Sequence, residues 1–126
     1  MSAEPKKILM VDDEEDFGRM VAINLEKSGL FKVRVEKLGS QALSSAQEFG
    51  PDLILLDVMM RDMAGPAVAG VLRQDAKLKK VPIVFLSAAA PKDGPETRQM
   101  AGYPCLSKPV QTEQLIAFIQ KHLPHE

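Results

Sequence analysis

Five polar side chains in this sequence stand where apolar segments end, and their types could act together on one ligand. They are three carboxylates, a hydroxyl and an amine, at positions Asp12, Asp13, Asp57, Ser87 and Lys108. The four residues before Asp57 are all apolar, which indicates a strand buried on both faces. An ionised carboxylate buried there without a partner would cost several kcal/mol, so Asp57 requires a cation close by.

A phosphoryl group and a divalent metal would give each of these side chains a role. Three clustered carboxylates raise one another's proton affinity unless a cation joins them, and hard oxygen ligands select Mg²⁺ or Mn²⁺. Because Mg²⁺ takes few protein ligands and often a phosphate, it would bring a phosphoryl group to Asp57, and carboxylates do accept phosphoryl groups. Ser87 would then hydrogen-bond one phosphoryl oxygen, and Lys108 would pair with another.

Five strands are predicted in front of or between these positions. Residues 8–11, 53–56 and 81–86 are continuous apolar runs typical of buried strands. Residues 31–36 alternate between apolar and charged side chains, which favours an edge strand, and residues 103–107 form the last strand.

Apolar residues at helical spacing fill the segments between the strands. They predict helices from residue 14 to Gly29, over residues 42–49, from Pro66 to residue 72, briefly near residues 96–101, and over residues 115–123. Strands alternating with helices in this way predict a doubly wound α/β fold, a three-layer sandwich around a five-stranded parallel sheet. The carboxyl ends of its strands lie along one edge, so the polar side chains can converge there.

Composition narrows the class of protein further. The 126 residues, with 16 basic and 17 acidic side chains, predict one domain (1–126, with its core over about 6–123) and no direct nucleic-acid binding. A single cysteine excludes an internal disulfide, and no apolar run approaches membrane-spanning length. We therefore expect a cytoplasmic protein that does not bind a membrane.

The joint pattern resembles the response-regulator receiver domain of two-component signalling. The resemblance rests on residues 8–14, 53–60, the pair Ser87-Ala88 and the pair Lys108-Pro109, and it covers essentially the whole chain. It implies the CheY-like, flavodoxin-like strand order 2-1-3-4-5.

The resemblance also implies a role for each site residue. Asp57 would be the phosphoacceptor, Asp13 a direct magnesium ligand and Asp12 a ligand acting through water. Met59 would offer its backbone carbonyl to the metal. Ser87 would be the switch hydroxyl and Lys108 the phosphate-pairing lysine.

Family membership would further imply the partners. The phosphoryl donor would be a sensor histidine kinase or a histidine phosphotransfer protein, and an unidentified downstream protein would bind the face made by the fourth helix, fifth strand and fifth helix. The protein would catalyse only its own phosphorylation and dephosphorylation, as a monomer or a phosphorylation-dependent dimer.

Several positions depart from the family pattern. Cys105 stands where an aromatic switch residue is usual, and we hypothesise that Tyr103, two residues earlier on the same strand face, partly substitutes. Arg61 replaces a frequent proline, which should leave the loop after Asp57 less rigid. Met59 and Ala89 are apolar and cannot orient an attacking water, so we expect a long-lived phosphoryl group.

Two alternatives remain open from the sequence. One is a pseudo-receiver, an interaction module that keeps the fold but is not controlled by phosphorylation. Cys105 mildly favours this alternative, and so does the short, irregular fourth helix predicted near residues 96–101. The other is an aspartate-based phosphatase with Asp57 as nucleophile. Such enzymes usually need a general acid two residues later, where Met59 cannot serve.

Overall fold

The computed structural model describes residues 4–88, 99–100, 102–108 and 111–124, in which strands and helices alternate. The strands are β1 (Lys6–Val11), β2 (Phe31–Glu36), β3 (Leu53–Asp57), β4 (Ile83–Ser87), β5 (Gln99–Met100) and β6 (Tyr103–Ser107). The helices are α1 (Glu15–Lys27), α2 (Ala42–Phe49), α3 (Gly65–Arg73) and α4 (Thr112–His122), with a 3₁₀ turn, η1 (Gly39–Gln41), before α2. None of the described helices is long and apolar enough to cross a membrane.

The sheet has the order β2-β1-β3-β4-β6-β5. Its five long strands are all parallel, and counted by themselves they follow the order 2-1-3-4-5, which confirms the predicted doubly wound α/β fold. The order reverses between β1 and β3, and ligands of such sheets bind beside this point, outside the carboxyl ends of the strands.

One predicted element is wrong where it can be compared. The sequence predicts a short helix near residues 96–101, but Gln99 and Met100 form β5, which pairs antiparallel with the start of β6. Gly102, directly before β6, has a φ of 85°, a left-handed backbone conformation that suits a turn residue. Residues 96–98 and 101 lie outside the described part of the chain, as do residues 89–95.

The core lies in two layers, one on each face of the sheet. Successive strand side chains point to opposite faces, so β1 sends Leu9 and Val11 to one layer and Ile8 and Met10 to the other. The first layer is covered by α2 and α3 and the second by α1 and α4. Because both faces are covered, β3 and β4 are buried over their whole length.

Polar groups and a short strand occupy parts of the two sheet edges and hinder pairing with a strand of another molecule. On the β2 edge, the Glu26 carboxylate accepts a 2.9 Å hydrogen bond from the Val33 amide. At the other edge β5 pairs with the first two residues of β6, and the second of these, Pro104, has no amide hydrogen to offer. The prediction that residues 31–36 form an edge strand is confirmed.

Candidate functional site

Four strand ends bring the candidate residues to the carboxyl edge of the sheet. Asp12 directly follows β1, Asp57 ends β3, Ser87 ends β4 and Lys108 directly follows β6. The Lys108 amide donates a 3.0 Å hydrogen bond to the Ser87 carbonyl, so these two residues are held side by side on neighbouring strands. Ser87 is itself buried.

Three carboxylates converge at this edge as the sequence predicted. Asp12, Asp13 and Asp57 each offer one oxygen, and these oxygens lie within 4.8 Å of one another. Asp12 and Asp57 are buried, whereas Asp13 is partly open to solvent. Hard oxygen donors at this spacing, one of them partly open to solvent, fit Mg²⁺ or Mn²⁺.

Asp57 carries the most perturbed carboxylate of the site. Its pKa is raised from 3.8 to about 6, chiefly by burial and secondly by the nearby charge of Asp12, although Lys108 and the Met59 amide act in the opposite direction. The Met59 amide lies 3.4 Å from Asp57 Oδ1, while the Met59 side chain is largely exposed beside it. The part expected of the Met59 carbonyl as a metal ligand stays a prediction.

Lys108 is the cation that the buried carboxylates require. Its Nζ lies 2.8 Å from Asp12 Oδ2, 2.7 Å from Glu14 Oε1 and 3.4 Å from Asp57 Oδ1. It also lies 4.5 Å from the centre of the Phe17 ring, in cation–π geometry. Burial lowers the pKa of Lys108, but hydrogen bonds to Asp12 and Glu14 and the charges of Asp12 and Asp57 outweigh burial and raise it overall.

The loop after β3 is tied to the rest of the site by its own polar groups. The Arg61 amide donates a 2.8 Å hydrogen bond to Asp13 Oδ2, a bond that a proline at this position could not make. Asp62 accepts hydrogen bonds from the Ser40 and Gly39 amides, and these bonds lower its pKa. With Arg61 in place of proline, the loop therefore gains a backbone hydrogen bond to Asp13, whereas the sequence predicts only a less rigid loop.

The start of α3 is fitted closely against the end of β3. A Cβ atom on Gly65 would lie 2.5 Å from the Asp57 carbonyl oxygen and 2.9 Å from Val58 Cα. The Gly65 amide also donates a 2.8 Å hydrogen bond to the Val58 carbonyl. Only glycine allows the start of α3 to lie this close to the end of β3. This close packing holds the backbone of Asp57 in place.

Tyr103 and Cys105 lie on one face of β6, as the alternation of strand side chains predicts. The Tyr103 ring packs edge-on against Phe85 with 5.5 Å between ring centres, and its hydroxyl accepts a 3.1 Å hydrogen bond from Arg73 Nε. Arg73 Nη1 also donates to the carbonyls of residues 78, 79 and 81. Tyr103 is thus anchored near the end of α3, at the opposite end of β6 from Lys108.

Sequence reasoning missed Glu14, Arg61 and Asp62 as parts of the site. Glu14 is one of five consecutive acids, and nothing in that run distinguishes the acid that contacts Lys108 from those that do not. The contact of Arg61 is made by its backbone amide, which side-chain patterns do not report. Asp62 lies two residues before Ala64, which precedes α3. Nothing in the sequence around it indicates that its carboxylate would accept hydrogen bonds from the amides of η1.

A doubly wound sheet with an acidic cluster and a buried lysine at its carboxyl edge defines a receiver-type signalling domain. Comparison with protein families agrees, because residues 8–120 match the response regulator receiver domain. The chain therefore belongs to the response-regulator receiver domain family of two-component signalling. Proteins of this class are signalling domains rather than conventional enzymes.

Individual relatives show the same relationship. The chain is 31% identical to the polar-differentiation response regulator DivK of Brucella anthropi over 120 residues, covering 94% of this chain and 97% of DivK. It is 34% identical to response regulator Rre1 of Synechocystis sp. over 126 residues, which cover 96% of this chain and 53% of Rre1. Among solved structures, chemotaxis protein CheY4 of Vibrio cholerae matches with a TM-score of 0.83 and 30% identity, covering 95% of this chain and all of CheY4.

Proposed function

We propose that this protein is a phosphoacceptor of a two-component phosphorelay that receives a phosphoryl group on Asp57 with the help of Mg²⁺. The observation that carries the proposal is the convergence of three carboxylate oxygens within 4.8 Å, with the Lys108 ammonium beside them.

In this proposal Asp57 is the nucleophile. One Asp57 oxygen forms a bond to phosphorus while the bond from phosphorus to the donor breaks, and the donor leaves with the electron pair of that bond. With a pKa of about 6, Asp57 is largely ionised at neutral pH and so has the lone pair that attack requires. Lys108 neutralises charge that builds on the phosphoryl oxygens, and Ser87 donates a hydrogen bond to one of them.

The residues that would hold the metal are Asp13, Asp57 and the Met59 carbonyl directly, and Asp12 through water. When bound, Mg²⁺ supplies charge neutralisation and orientation of the phosphoryl oxygens. The hydrogen bond from the Arg61 amide keeps one Asp13 oxygen fixed, and the Glu14 amide does the same for Asp12 Oδ1 at 2.9 Å. These bonds orient the carboxylates before any ion arrives.

The donor in this proposal is a histidine kinase or a histidine phosphotransfer protein, and the site of action is the cytoplasm. The output would be a protein that binds the face assigned from the sequence to the fourth helix, fifth strand and fifth helix, of which β6 and α4 are the last two, and the receiver would act as a monomer or a phosphorylation-dependent dimer. Tyr103 remains a hypothetical substitute for the aromatic residue that Cys105 replaces. The apolar Met59 side chain, exposed next to Asp57, supports slow spontaneous loss of the phosphoryl group.

The test is the intact mass of the protein after incubation with acetyl phosphate and Mg²⁺. We expect a gain of about 80 Da, one phosphoryl group, that is absent from Asp57→Asn and from a sample treated with a chelator. If the parent protein gains no mass while its fold is intact, the pseudo-receiver alternative replaces this proposal.

A further inference from the structure

The ammonium of Lys108 lies closer to the turn between β1 and α1 than to the proposed phosphoacceptor. Its two short contacts, at 2.7 and 2.8 Å, are with Glu14 and Asp12, and Asp57 Oδ1 is farther away at 3.4 Å. The Phe17 ring, also from the α1 side, covers the same ammonium. Before phosphorylation, Lys108 is therefore drawn toward α1.

Glu14 differs from the other two carboxylates that contact Lys108. Its side chain is 64% exposed, whereas those of Asp12 and Asp57 are 0% and 6% exposed. Releasing Glu14 from Lys108 returns it to water at little cost, while releasing Asp12 would leave a buried charge unpaired. Of these three carboxylates, Glu14 is the one that Lys108 can exchange for a new partner.

Helix capping does not account for the position of the Glu14 side chain. Glu14 occupies the N-cap position of α1, yet its side chain makes no capping hydrogen bond. Its backbone amide donates instead to Asp12 Oδ1, and its carboxylate extends to Lys108 Nζ. Glu14 thus connects a predicted metal ligand with the predicted phosphate-pairing lysine.

We propose that Glu14 is a positioning residue that holds Lys108 on the α1 side of the site and competes with the phosphoryl group for it. The inference rests on the proposed function, because it assigns Lys108 to the phosphoryl oxygens. A lysine ammonium has three N–H donors, and in this structure Lys108 donates a hydrogen bond to Glu14 and forms a 2.8 Å ion pair with Asp12. A phosphoryl group on Asp57 adds strongly charged acceptor oxygens that would displace the exposed Glu14 and not the buried Asp12.

The experiment measures how tightly the site binds beryllofluoride, a stable mimic of a phosphoryl group, in the presence of Mg²⁺. Titrations followed by NMR would compare the parent protein with Glu14→Gln, which keeps the shape of the side chain but removes its charge. Glu15→Gln is the matched control, because Glu15 is similarly exposed and lies one residue away but pairs with Lys37 instead of Lys108. A separate titration with Mg²⁺ alone reports on metal binding by the carboxylates in the absence of a phosphoryl mimic.

We expect Glu14→Gln to bind beryllofluoride about three- to fivefold more tightly than the parent, the size of effect typical of an exposed ion pair. Glu15→Gln should change this affinity less than twofold. Both variants should bind Mg²⁺ alone equally well. If Glu14 contributed only to folding, Glu14→Gln would change the affinities for beryllofluoride and for Mg²⁺ alone in the same way.

The possible failures have different meanings. If the parent protein binds no beryllofluoride with Mg²⁺ present, the proposed phosphoacceptor function is wrong. If the parent binds it but Glu14→Gln binds equally or more weakly, or no more tightly than Glu15→Gln, the competition between Glu14 and the phosphoryl group is refuted and the phosphoacceptor function stands.

Discussion

Neutralising Asp57 should stabilise the metal-free protein at neutral pH. The pKa of this carboxyl rises from 3.8 to about 6 on folding, chiefly because it is buried and secondly because Asp12 lies nearby. A raised pKa means that the folded state binds the proton more tightly, so stability is fully present below pH 3.8 and is lost as the pH rises through 6. With about 1.4 kcal/mol for each pH unit of difference, the ionised carboxylate costs about 3 kcal/mol at pH 7.5.

The assay is urea unfolding of the parent protein and Asp57→Asn, both in a chelator. Asp57→Asn loses its ion pair with Lys108, but Lys108 keeps Asp12 and Glu14, so we expect a net gain of about 1–3 kcal/mol at pH 7.5. The difference should fall to about 1 kcal/mol or less near pH 4.5, where the folded carboxyl is already protonated. A variant that is less stable than the parent at pH 7.5, or a gain that does not depend on pH, would refute the reasoning.

Four further substitutions, one of them a matched control, test other contacts. Lys108→Ala leaves buried carboxylates unpaired and should lower the free energy of unfolding by about 3 kcal/mol at neutral pH, unless Mg²⁺ restores it; urea unfolding with and without the ion checks this. Gly65→Ala forces backbone atoms apart and should cost about 2 kcal/mol or more, whereas Gly70→Ala, with no atom within 4 Å of its added Cβ, should gain up to about 1 kcal/mol in the same helix. Equal effects of the two glycine substitutions would contradict the close packing seen at α3. Tyr103→Phe removes the bond to Arg73 and should cost about 1 kcal/mol while phosphorylation by acetyl phosphate is unchanged; loss of phosphorylation would show that this bond affects the site.

Much of the fold could be predicted because burial leaves a direct pattern in the sequence. The continuous apolar run before Asp57 predicts a strand covered on both faces, and β3 is buried throughout. The alternation in residues 31–36 predicts one exposed face, and β2 lies at the edge. The convergence of Asp12 and Lys108 follows from strand direction alone, because parallel strands end at the same edge.

The parts that could not be predicted depend on geometry that side-chain patterns do not encode. β5 has two residues, too few for any period, and it exists because the turn at Gly102 places them beside β6. The contact of Glu14 with Lys108 depends on how the chain leaves β1. The hydrogen bond to Asp13 comes from the Arg61 backbone amide. From the sequence, this position shows only that the proline frequent in the family is absent.

The protected edges of the sheet limit the ways in which two copies of this protein can associate. At β2, Lys32 and Arg34 alternate with apolar residues, and Glu26 already occupies the Val33 amide. At the other side, β5 and Pro104 occupy the start of β6. Pairing of strands between molecules at these positions would first have to displace these groups. If phosphorylation causes dimerisation, the contact is therefore expected to form between helices, where it can be made and broken without disturbing the hydrogen bonds of the sheet.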